Sequence, residues 1–298
     1  MTAQETPLDT GLDFAREEFT PEEAAALLKW YEETHGEGDL TLNLFADFLI
    51  NYDSGGIKAF RRNAIELSRP DADGDSLPPV FFNLLYLHLY TVLFREKETL
   101  YEIVSCKVLG VTKAEVLDTI RLGYLTGGPS GINAVAERGR RYLDEWAETS
   151  SVSSLVWPAA WHKGASLSTG LDISTTALSE DESQALRAWY AASHGAVPAY
   201  VDFMLKNAPS VFKTFRFRGD RLGRVLPLQA HLLMLVHLAA YQVWPDLLRQ
   251  AATEARAIGV SRHQVLQAMF SGCLIGGEWK LGAVLEPLVD FFENWPTA

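Results

Sequence analysis

The chain has little sulfur, a shortage of basic charge and no long apolar run. Its two cysteines, Cys106 and Cys273, lie far apart with no signal peptide ahead of them. This excludes a disulfide framework and leads to the expectation of a reducing, cytoplasmic setting. Lysine and arginine number 26 against 38 aspartates and glutamates, a net charge of -12. That field repels phosphate backbones and anionic lipid, and no basic stripe reverses it locally, so neither nucleic acid nor a membrane is expected as a partner. The most apolar stretch, Pro79 to Phe94, is shorter than the roughly 18 residues of a membrane span and carries Asn83 and His88, so it reads as a buried core helix. No segment alternates with period two for long enough to argue a sheet. Metal-ligand spacings are missing as well: there is no His-Glu-x-x-His, and His231 and His237 do not share a helix face, so no metal and no cofactor are expected. What remains is 298 residues, 48% hydrophobic and 21% charged, enough to fill a core.

Sliding the chain along itself exposes an internal repeat. Glu23, Ala26, Leu27, Trp30, Tyr31, His35 and Gly36 recur as Glu182, Ala185, Leu186, Trp189, Tyr190, His194 and Gly195. Asp47-Phe48, Lys58 and Phe60-Arg61 recur as Asp202-Phe203, Lys213 and Phe215-Arg216 at a slightly smaller offset, so one loop has shortened. Gly110-Val111, Val116-Leu117, Gly123, Leu125 and Gly127-Gly128 return as Gly259-Val260, Val265-Leu266, Gly272, Leu274 and Gly276-Gly277. The order is collinear. The reading is an all-α chain made of a first repeat over 1–147, a connecting strap over 148–176 and a second, degenerate repeat over 177–298. The strap holds Trp157, Trp161 and His162, which no flexible linker needs, and it is expected to anchor across the repeats rather than to act as a lid.

Thr20-Pro21-Glu22-Glu23 and Leu178-Ser179-Glu180-Asp181-Glu182 are helix starts, and Gly36 and Gly195 are helix stops. Further helices of the first repeat are expected near 41–51, 56–68, 78–93, 96–109, 112–126 and 131–147. Gly110-Val111-Thr112 and Gly259-Val260-Ser261 each join a glycine stop to an N-cap, a tight helix corner.

The second half of the first repeat reads Arg95-x-x-Glu98-x-x-x-Glu102-x-x-x-Cys106-x-x-x-Gly110-Val111-Thr112-x-x-Glu115-Val116, then Gly127-Gly128-Pro129-Ser130-Gly131-Ile132-Asn133-Ala134. This pattern resembles the carboxymuconolactone decarboxylase family and its alkylhydroperoxidase D-like relatives, strongly in the first repeat and more weakly in the second. The resemblance implies a helical unit of that type packed into a homo-oligomer. It also implies a small carboxylated or lactone-type substrate and a pocket lined by Cys106, Gly128, Pro129 and Ser130. The peroxide-reducing relatives use Cys-x-x-Cys with a histidine four residues on. Here Arg95, Glu98 and Glu102 stand at those positions, and Trp244, Leu247 and Ala251 in the second repeat, which excludes thiol redox chemistry there. The family histidine aligns with Glu102, so its role does not transfer unchanged; Glu98 matches the family glutamate.

Arg95, Glu98, Glu102 and Cys106 are spaced along one helix stripe. If that stripe is shielded, its two carboxylates separate in pKa and serve as general acid and base, with Arg95 holding a substrate carboxylate; if it is solvated, it is only surface. His88 and His237 occupy equivalent points on apolar helices and read as core histidines bonded to backbone carbonyls, with His88 also a catalytic candidate able to reach the same cavity. His35 and His194 read as helix-end caps. Gly127-Gly128 and Gly276-Gly277 precede no Lys-Ser/Thr pair and read as close helix turns. Glu278-Trp279 replaces Pro129-Ser130 in the second repeat, where a bulky side chain is expected to fill the pocket. The leading expectation is a cofactor-independent, decarboxylase-like lyase with Glu98 and Glu102 in acid/base roles. The alternative is a silent ligand-binding or assembly subunit of the same fold.

Overall fold

Capping side chains set where the helices begin. Thr20 Oγ1 accepts from the Glu23 backbone N–H at 3.2 Å while the Glu23 carboxylate takes the Thr20 N–H at 2.9 Å, opening α1 (Pro21–His35). Ser179 and Glu182 form the same box at α8 (Glu180–His194), which ends at Gly195 with a left-handed φ of 78°. Thr112 with Glu115 and Ser261 with Gln264 open α6 (Lys113–Gly127) and α13 (Arg262–Gly276).

The computed structural model describes residues 11–35, 43–147, 152–161, 169–222 and 224–296, and no described residue lies in a strand. The described part of the chain is all-helical, with 71% of its residues in helix. Completing the first half are α2 (Asn43–Tyr52), α3 (Ser54–Leu67), α4 (Phe81–Val92), α5 (Glu96–Val108) and α7 (Pro129–Glu145). The second half runs α9 (Ala199–Asn207), α10 (Pro209–Leu222), α11 (Leu228–Gln242) and α12 (Pro245–Ala257) up to α13. Only the last element breaks the parallel. Where the first half has one helix, α7, the second has α14 (Lys280–Leu285), a 3-10 turn at Glu286–Leu288 and α15 (Val289–Glu293). Pro287 sits at that break and has no N–H to give to a continuous ladder.

The apolar helices α4 and α11 pack on each other and belong to one buried cluster drawn from both halves. Each half also grips the loop that leads into the other's central helix. The Asp118 carboxylate on α6 accepts from the backbone N–H groups of Arg224, Val225 and Leu226 at 2.9 to 3.0 Å. Reciprocally, Gln267 on α13 accepts from the Leu77 N–H at 2.7 Å and donates to the Leu67 carbonyl at 2.7 Å. The recurring lysines are structural: buried Lys58 donates to three backbone carbonyls and to Glu23, and Lys213 pairs with Glu182 in the same way.

The strap is an anchor over its described part. Trp157 stacks on Trp161 at 5.6 Å and meets Phe81 edge-on at 5.1 Å, with both tryptophans buried in the shared core. The Ser154 N–H donates to the Gly110 carbonyl, and the Ser153 hydroxyl to Glu115. His162, Gly36 and the His35 side chain lie outside the described residues. Trp279 fills no pocket. It stands 99% exposed, because the turn at Gly277, φ 102°, swings it outward before α14. Among the described residues, no helix is long and apolar enough to cross a membrane.

Candidate functional site

Helical spacing on two neighbouring helices builds one polar wall. Asn83, Tyr86 and Tyr90 descend a face of α4 at i, i+3 and i+7, while Glu98, Glu102, Ser105 and Leu109 descend a face of α5. These faces border a cavity of about 660 Å³. Trp30 and Tyr31 of α1 and Phe60 and Arg61 of α3 form the opposite side. The second half closes it with Leu274 and Ile275 of α13 and, at the rim, exposed Glu278.

Glu102 is 3% exposed and accepts one bond, from Asn83 Nδ2 at 3.0 Å; Asn83 also donates to Ser105 Oγ at 3.1 Å. Burial pushes its carboxyl up to about 8, against the pull of the Asn83 bond, so at neutral pH it is mainly protonated and can donate. Ser271 of α13 donates to the Tyr86 hydroxyl at 3.0 Å, and burial pushes that phenol up to about 12. Burial likewise raises Tyr90 and Tyr101, with the Glu102 charge adding to both. Arg61, 3% exposed, lies over the Trp30 ring at 4.1 Å and is hydrogen-bonded to Tyr31. Burial lowers its pKa, yet a guanidinium keeps its charge in proteins.

Of the residues singled out in the sequence, Glu98 and Glu102 reach this cavity, Glu98 half-buried. The other candidate site residues, His88, Arg95, Cys106, Gly128, Pro129 and Ser130, do not line it. Arg95 is the exposed N-cap of α5, outside the helical ladder, so the stripe's periodicity does not extend to it. Cys106 turns into the core one step beyond Ser105, and burial drives its thiol well above the ordinary range. Gly128, Pro129 and Ser130 form the α6–α7 corner. A Cβ on Gly127 would sit 3.0 Å from Val92 Cα, and one on Gly131 would sit 2.5 Å from the Thr91 carbonyl oxygen, so these glycines serve a close helix approach.

His88 is fully buried, with Nε2 3.2 Å from Thr126 Oγ1, and burial draws it down to about 3. Its partner is therefore a hydroxyl and not the expected backbone carbonyl, and among the described residues His237 has no hydrogen-bond partner at either ring nitrogen. His194 sits in the last turn of α8 with its Nε2 3.5 Å from Glu254, but burial draws it down to about 4, so at neutral pH it is uncharged and not the dipole-stabilising cap expected.

Arg61, Asn83, Tyr86, Tyr90, Tyr101 and Ser105 were not singled out in the sequence as site residues. A signal for most of them lies in the contrast between the repeats, which place Leu232, Leu235, Ala239 and Glu254 where Asn83, Tyr86, Tyr90 and Ser105 stand. Arg61 gives no such signal, since Arg216 repeats it and stacks on Trp189 just as Arg61 does on Trp30. Among the described residues no group of metal-ligating side chains converges.

No protein-family model, curated protein or solved structure matches this chain.

Proposed function

We propose that this chain is a tandem pair of carboxymuconolactone decarboxylase-like helical units working in the cytoplasm as a cofactor-independent lyase on a small carboxylated or lactone-type metabolite, with Glu102 as its general acid and base. The observation that carries the reading is a protonatable carboxyl, raised to about 8, facing a cavity large enough for a metabolite. A general acid works best with a pKa near the operating pH, and Glu102 meets that condition. In this reading Glu98, half-buried on the same wall, passes protons between Glu102 and solvent.

In decarboxylation of a 3-oxo acid, the Glu102 proton goes to the oxo oxygen as the bond to the leaving carboxylate breaks, and the electron pair of that bond forms an enol. A solvent proton then adds at carbon, and the enol proton returns to Glu102. The net change is carboxylate plus proton to carbon dioxide and a C–H bond. The repeat and the reciprocal grip of Asp118 and Gln267 support reading the two halves as a duplicated unit. Further association into a homo-oligomer belongs to the same proposal. A ligand-binding role without turnover is favoured by one observation, the glutamate at the position of the family histidine.

The test is turnover of a panel of carboxylated lactones, oxo acids and phenolic acids by the parent, Glu98→Gln and Glu102→Gln proteins. Glu102→Gln is expected to lower kcat by roughly 100- to 10,000-fold while the protein stays folded. Unchanged turnover in that variant sinks the acid/base assignment.

A further inference from the structure

The cavity has two polar poles on different helices, Arg61 on α3 and Glu102 on α5. Tyr86 and Tyr101 respond to both: the Glu102 charge raises each phenol and the Arg61 charge lowers it. Glu102 itself responds to burial and to Asn83. Arg61, Glu102, Tyr86 and Tyr101 all line the same cavity, so both charges act within it. Trp30, Phe60 and Phe82 add flat apolar surface to the same walls.

Each pole selects a chemistry. A guanidinium is a planar fork that matches a carboxylate with two parallel bonds, and stacking on Trp30 fixes its plane. A mainly protonated carboxyl donates to a neutral oxygen and gives no attraction to an ammonium group. Aromatic walls favour a flat, conjugated body over a saturated, puckered one. The volume of about 660 Å³ lies within the range of small-molecule sites.

We infer that the cavity takes a planar conjugated monocarboxylic acid carrying a second oxygen, as hydroxyl or oxo, at its far end, with the carboxylate on Arg61 and the far oxygen on Glu102. This rests on the reading of the cavity as the reactive site and names the substrate class for it. The second half of the chain takes part by closing the cavity and, through Ser271, by holding the hydroxyl of Tyr86, which lines it.

The test is calorimetric titration of the full chain with 4-hydroxycinnamate and three analogues, each lacking one feature. Cinnamate lacks the far oxygen, 4-coumaryl alcohol lacks the carboxylate, and 3-(4-hydroxycyclohexyl)propanoate lacks the flat body. The parent acid is expected to bind at least about tenfold tighter than each analogue, a difference of about 1.4 kcal/mol. Arg61→Lys, which keeps the charge and loses the fork, is expected to weaken the acid about tenfold and leave the alcohol unchanged. The comparison of ligands on the unaltered chain stands even if that variant misfolds. Equal binding of the alcohol or of the saturated acid, or no binding by any of the four, overturns the inference. The two proposals fail separately. Tight 4-hydroxycinnamate binding with no turnover anywhere in the panel removes the lyase and keeps the ligand class. Glu102-dependent turnover of a saturated lactone with no binding of the planar acid does the reverse.

Discussion

At Glu102, ionisation forfeits hydration that a single amide donor does not return, and this is why its pKa rises. The consequence for stability has a definite sign. The folded value of about 8 exceeds the ordinary 4.5, so between those values the folded chain holds a proton that the unfolded chain has lost. The stabilisation is complete below pH 4.5 and is lost as pH rises toward 8, at about 1.4 kcal/mol per pH unit. Glu102→Gln, which keeps the shape without the titration, is expected to flatten this slope in urea unfolding midpoints followed from pH 6.5 to 9. An unaltered slope in the variant means that the carboxyl is solvated. The position of Glu102 is legible in residue order alone, because the second repeat has Ala251 in its place and so marks a site that faces packed protein. Its pKa is not, since desolvation is the work of side chains remote in sequence.

At the level of elements, the central helices α4 and α11 carry a liability of opposite sign. Burial draws His88 and His237 down to about 3 and His231 to about 4. Each is neutral in the fold and takes up a proton in the unfolded chain below about 6.5, so stability is present above that pH and is lost as pH falls toward the folded values. Below pH 6.5 these histidines, joined by His194 on α8, which burial draws down to about 4, outweigh the raised carboxyls of Glu102 and Glu254, and above it the raised carboxyls remain. These groups together put the stability maximum near pH 6.5. His237→Leu removes a buried side chain that has no hydrogen-bond partner among the described residues. It is expected to change stability by less than about 1.5 kcal/mol at pH 7.5 and to shrink the loss between pH 7.5 and 5, as read by urea midpoints. An equal loss in variant and parent refutes the assignment. The apolar run announced these helices, but a carbonyl partner for the histidines was the wrong expectation. Carbonyls inside a helix are already taken by its own ladder, and on α6 only the Thr126 hydroxyl meets His88.

Across the whole molecule, one buried cluster and a reciprocal grip join the halves, so they should melt together. A single calorimetric transition is expected, with calorimetric and van't Hoff enthalpies equal. Asp118→Ala, which strands the N–H groups of Arg224, Val225 and Leu226, is expected to lower stability by about 1–3 kcal/mol. Two separate transitions in the parent would show that the halves are independent bodies.

Helix starts, helix stops, the all-helical class and the collinear recurrence of Trp30, Lys58 and Arg61 could all be read from residue order, because capping and helical periodicity act over a few neighbouring residues. The cavity could not. Whether Glu102, Ser105 or Cys106 faces it depends on how α5 is rotated against α4. Arg61 comes to it from α3, and the closing wall comes from α13 in the other half. Those placements follow from packing between elements distant in the chain, and only the tertiary structure supplies that information.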